Sequence, residues 1–178
     1  TPDDTDELRA KGAILVHEPV NTAHPAGWHA LQRAYAAAGI AMNFGPDLGA
    51  IAEERRRLHR DDYAFVTSPL VRASHEALGL RPERLIPASY GYPPSFRPVR
   101  RPADKLRFLF VARGSVRKGL PVLLAAWARA KLDARLSLVG GIEPEVASHC
   151  ERYLRDASVE VQPYTQDLAA HYSDADVF

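Results

Sequence analysis

The alternation in the second half of the chain constrains its fold more than any other feature. Short apolar runs at 106–112, 135–139 and 158–161 are separated by helix-like stretches at 120–130 and from Pro144 to about Arg155. A further helical stretch, "QDLAAHYSDA", precedes "DVF", which reads as the opening of another strand. Strands separated by a helix each cannot pair as tight hairpins. They pair parallel, buried on both faces, in βαβ units of the α/β class. Loops that follow such strands collect at the carboxyl edge of the sheet, where open α/β folds bind ligands.

The first half carries the same signals less regularly. Residues 4–11 read as the end of a helix, and "AILVH" as a strand. "PAGWHALQRAYAAAG" reads as a helix, with Pro25 suited to a first turn and Gly39 to a stop. "IAMNF" fits a short strand or a loop. "DLGAIAEERRRLHR" is a charged helix, "YAFVTS" a buried strand, and Ser68-Pro69 the start of a helix that Gly79 ends. "RLIPAS" completes the set as a strand. Residues 93–102, "PPSFRPVRRP", hold four prolines in ten positions, which predicts a stiff connection between two domains.

Composition excludes several classes of function. Hydrophobic residues make up 46% and charged residues 25% of 178, a globular balance able to build one core or two small ones. The formal net charge of +1 provides no bulk attraction for nucleic acid. The Arg57–Arg60 cluster shares a helix with Glu53 and Glu54, a pattern of intrahelical pairing. Receiver-like chemistry needs clustered acids at strand ends, which the first strands lack. One cysteine, Cys150, excludes an intrachain disulfide and fits a reducing, cytoplasmic location. No apolar run approaches the about 18 residues of a membrane span, and the start is polar and acidic, unlike a signal peptide, its abruptness suggesting further protein upstream.

The loop between strand 106–112 and helix 120–130 carries Arg113, Arg117 and Lys118. It is either a solvated turn or an anion site. For the second reading, Arg113 follows the strand directly, and Lys118-Gly119 precedes a helix with Pro121 in its first turn. Two cations and free helix N–H groups would then face one space, the combination a phosphate needs. Gly114 and Gly119 allow close backbone approach. Neither GxGxxG nor GxxxxGK[ST] is present.

"RFLFVARGSVRKGLPVLLAAWARA" resembles the "FVGR…(R)KG…LLEAW" region of retaining GT-B glycosyltransferases of the GT4 type. Three further stretches are similar to that family in order and spacing: "ERRRLHRDDYAFVTSPLVRASHEALGLRPERLIPASYGYPPSFRP", "ARLSLVGGIEPEV" and "VEVQPYTQDLAAHYSDADVF". The resemblance spans about residues 10–178. It implies a GT-B-type α/β fold of two Rossmann-like parallel-sheet domains, both incomplete. Residues 1–95 would form the end of the acceptor-side domain, 96–103 the linker, and 104–178 the first part of the nucleotide-sugar domain.

The implied activity is transfer of a sugar, with retention, from a nucleoside-diphosphate sugar to an unknown acceptor. Arg113 and Lys118 would hold the donor diphosphate, whose leaving charge fixed cations stabilise without a metal or cofactor. Gly114 and Gly140 would allow close approach to the nucleotide, although Gly140-Gly141 equally reads as a turn. Tyr164 would contact base or ribose, or pack on the next helix. His24 matches a cleft-facing histidine, and His17 competes for the same role, although both equally read as a helix cap or a surface histidine. Arg117 reads as a solvated charge. Asp174 and Asp176 read as fold positions, with no metal assigned.

Ala112 stands where the family has Gly, and Glu18-Pro19 stands where it has an arginine loop. These departures favour the alternative of a GT-B-like nucleotide-binding or scaffolding protein without transferase activity. The family's acidic donor motif is expected beyond Phe178 and much of the acceptor domain upstream of Thr1. On that view the fragment alone is inactive, with an exposed sheet edge open to self-association.

Overall fold

A computed structural model describes residues 4–19, 21–91 and 104–178. The proline-rich stretch 93–102 and the linker expected at 96–103 lie outside the described residues. The chain divides into two compact units: residues up to 30 together with the stretch from 43 to the proline-rich stretch, and residues 31–42 together with the second half.

In the first unit, β1 (Val16–His17), β2 (Tyr63–Val66) and β3 (Leu85–Pro87) form a parallel sheet in the order β1-β2-β3. Helices α1 (Asp4–Ala10), α3 (Leu48–Arg60) and α4 (Pro69–Glu76) surround it, with the opening of α2 (His24–Ala38). Side-chain caps fix two of these helix starts. Asp47 accepts from the Ala50 N–H at 2.9 Å, and Ser68 from the Val71 N–H at 3.2 Å, with Pro69 in the first turn. "AILVH" is strand only at Val16 and His17, and "IAMNF" is loop. The small core joins Leu58, Ala64, Val66, Val71, Leu80 and Leu85.

In the second unit, β4 (Leu106–Val111), β5 (Ala134–Val139) and β6 (Val159–Gln162) form a parallel sheet in that order. Helices α5 (Leu120–Ala130), α6 (Pro144–Leu154) and α7 (Leu168–Asp174) follow the strands in turn. The closing "DVF" does begin to pair, because Val177 bridges Phe108 in parallel on the free side of β4. Asp174 and Asp176 hold that junction. Arg107 donates to Asp174, and its backbone N–H donates to Asp176 Oδ2 at 2.9 Å. The core is built on Leu120, Leu124, Trp127, Leu136, Leu138, Val146 and Cys150. Tyr35 and Ile40, from the second part of α2 and the turn after it, belong to the same core.

Both units are thus parallel sheets flanked by helices, the expected α/β class. Among the described residues no helix is long and apolar enough to cross a membrane.

Candidate binding cleft at the strand ends of the second unit

Three loops meet at the carboxyl edge of β4, β5 and β6 and enclose a cleft of about 420 Å³. Val111, Ala112 and Arg113 line it from β4, Val139 to Ile142 from β5, and Tyr164, Thr165 and Leu168 from beyond β6. Backbone hydrogen bonds stitch the loops beneath it. Ala112 N–H donates to Val139 O at 3.1 Å, Gly140 N–H to Gln162 O at 3.0 Å, and Gly114 N–H to Gly141 O at 2.7 Å. Glu143 N–H returns a bond to Gly114 O at 2.9 Å.

Two glycines make this stitching sterically feasible. Gly140 has φ 128°, a conformation that side chains rarely adopt, and a Cβ there would run into the Ala112 carbonyl. Gly114 is buried, and a Cβ on it would press on Leu120 and Ile142. Both glycines are therefore required by the protein's own packing. Gly140 also lines the cleft.

The charged residues are placed less symmetrically. Arg113 lines the cleft with 73% of its side chain exposed, and its Nε lies 3.4 Å from Glu143 Oε1. Lys118 is exposed and is not among the lining residues; its backbone N–H donates to Ser115 Oγ at 3.1 Å. The free helix N–H groups expected at the start of α5 are largely absent. Gly119 N–H is bonded to Val116 O, Leu120 N–H to Ser115 O and Leu123 N–H to Gly119 O, while Pro121 has none. The loop thus uses the N–H groups of Lys118, Gly119 and Leu120 internally, so the start of α5 offers an anion less than its position suggests, and Arg113 is the cation that lines the cleft.

Tyr164 is 78% exposed at the rim, so packing against the next helix does not account for it. Thr165 beside it accepts from Asp167 N–H at 3.1 Å, and Asp167 caps α7 through Ala170 N–H at 3.2 Å. Sequence reasoning missed Ile142, Thr165 and Leu168 as lining, and missed Glu143 as the partner of Arg113. The glycine pair pointed to the β5 loop, but nothing local distinguishes a carboxylate three residues past Gly140 from a solvated helix start.

His17 and His24 lie in the first unit. His24 opens α2, its backbone N–H donating to Glu54 Oε2 at 2.8 Å and its Nδ1 3.1 Å from Glu54 Oε1. This gives it a helix-start role. His17 Nδ1 is 3.6 Å from Asp61 Oδ2. Burial pushes the His17 pKa below the ordinary 6.5 more strongly than Asp61 raises it, so the ring is neutral at pH 7. His75, fully buried in the same unit, lies 2.8 Å through Nδ1 from Val71 O, and its Nε2 has no partner among the described residues. Among the described residues no group of three or more His, Cys, Asp or Glu is arranged to hold a metal ion.

Residues 105–178, which contain the whole cleft, match the family model described as Glycosyl transferases group 1. No curated protein matches the chain. Among solved structures the chain is similar to TarM, with a TM-score of 0.46 and 11% identity over 75% of this chain. It spans 28% of that TarM chain.

Proposed function

We propose that this chain is part of a GT-B glycosyltransferase that moves a sugar, with retention, from a nucleoside-diphosphate sugar to an acceptor. The observation that carries the reading is the cleft itself. It opens at the carboxyl ends of three parallel strands, bears Arg113 and Tyr164 on its rim, and lies within the segment matched to the family. Arg113 binds the donor diphosphate, with Lys118 closing on it from the loop before α5. Tyr164 offers a ring face to the nucleoside. The loops at Gly114 and Gly140 form the floor. Fixed cations take up the charge of the leaving diphosphate, so this chemistry requires no metal or cofactor.

On the same reading residues 1–95 are acceptor-side, 104–178 nucleotide-side, and His24 or His17 serves the acceptor side. The protein acts in the cytoplasm on small molecules rather than nucleic acid. A second reading, a nucleotide-binding protein without transfer, draws on the Arg113–Glu143 pair and on the internally bonded N–H groups of Lys118, Gly119 and Leu120, both of which weaken anion binding.

Calorimetric titration with UDP, GDP and ADP tests the binding half of the proposal. Arg113→Ala should weaken the preferred diphosphate about tenfold, as expected for loss of a charge-assisted contact at an exposed site. Equal affinity in the variant would remove Arg113 from the site. Donor consumption by the full-length protein, with and without both cations, separates transfer from binding alone.

A further inference from the structure

The pairing of Arg113 with Glu143 bears on which ligand the cleft releases. We propose that Glu143 is a charge-selective residue: it disfavours the free nucleoside diphosphate more than the sugar-linked donor, and so favours release of the product. The inference rests on the donor-diphosphate reading above.

The backbone of Glu143 is fixed beside the site. It is the residue before α6, its N–H is bonded to Gly114 O, its carbonyl accepts from Ala147 N–H at 2.8 Å, and Pro144 follows it. Its side chain is 23% exposed and lies beside Arg113. A diphosphate on the Arg113 guanidinium would therefore sit about 7 Å from the carboxylate, one guanidinium width away. In a donor the terminal phosphate is esterified by the sugar and carries one charge. In the free diphosphate that phosphate has a second pKa of about 6 and gains nearly one more charge at neutral pH. One added charge at that distance, at intermediate dielectric and physiological salt, is worth a factor of about two to five in affinity. The opposing effect, orientation of Arg113 by the pair, is small because the guanidinium is largely solvated. Repulsion therefore sets the sign.

The test is titration of the chain with UDP and UDP-glucose, GDP and GDP-mannose, and ADP and ADP-glucose, at pH 7.5 and 5.5. For the pair that binds, Glu143→Gln should tighten the diphosphate about two- to five-fold more than its sugar conjugate. The difference should shrink at pH 5.5 and at high salt. Glu145→Gln removes the same charge from an exposed neighbour in the first turn of α6 and should leave the ratio close to wild type. An unchanged ratio in Glu143→Gln, or weaker binding of both ligands, overturns the inference. Arg113→Ala distinguishes the two levels. If binding needs Arg113 but the ratio ignores Glu143, only this inference falls. If the wild type binds no pair, or binds independently of Arg113, the donor reading falls and takes the inference with it.

Discussion

A methyl group at Gly140 has nowhere to go, since it would meet the Ala112 carbonyl at a backbone angle that side chains rarely adopt. Gly140→Ala should cost about 2 kcal/mol or more in urea denaturation and, under the proposed donor site, should reduce nucleoside-diphosphate affinity because the floor of the cleft must shift. His17 gives a second outcome at a single side chain. Its folded pKa lies below 6.5, so the unfolded chain takes up more protons as pH falls through that value. Its contribution to stability is present above 6.5 and is lost on acidification toward the folded pKa. Wild type should lose stability between pH 7.5 and 5.5 by more than His17→Gln does. Parallel curves for the two proteins would contradict the assignment.

Between residues and fold, the helix starts decide what the cleft can bind. α5 begins where the loop has already used most of its N–H groups, and α6 begins beside two carboxylates, Glu143 and Glu145, that suit its positive end. α7 starts with Asp167 accepting from Ala170 N–H while its own N–H donates to Thr165. These bonds place Thr165 and Leu168 in the lining. Asp167→Ala should cost about 1 kcal/mol, visible in thermal unfolding, and should raise hydrogen exchange in α7 more than in α5. Unchanged exchange in α7 would show that packing rather than the cap holds it.

Across the chain, the second unit is assembled from segments far apart in sequence. Tyr35 and Ile40 are buried with Leu120, Leu136 and Val146, and Leu31, Ala34, Ala38 and Met42 pack around them. A fragment of residues 104–178 should therefore be less stable than the same residues in the whole chain. Each large side chain withdrawn from a core costs on the order of 2–5 kcal/mol, so the fragment should show a markedly lower urea midpoint. Equal midpoints would mean that the segment 31–42 adds nothing to that core.

Much of the fold was legible because it is periodic and local. Apolar runs such as "LRFLFV" and "RLSLV", each followed by a helix, could only become parallel strands, and Ser68 and Pro69 marked a helix start by their own chemistry. The carboxyl-edge position of Arg113, Gly140 and Tyr164 followed from that order of elements. What the tertiary structure alone decided depends on how separate loops come into register. The Gly114–Gly141 and Glu143–Gly114 bonds bring Glu143 to Arg113, the loop before α5 bonds the N–H groups of Lys118, Gly119 and Leu120 internally, and Lys118 falls outside the lining. His17 meets Asp61 across 44 residues, and Tyr35 and Ile40 join a core whose other buried members lie beyond residue 115. Hydrophobic period and capping chemistry are written within a few neighbouring residues. Contacts between loops exist only once the sheet has set the distance between its strands.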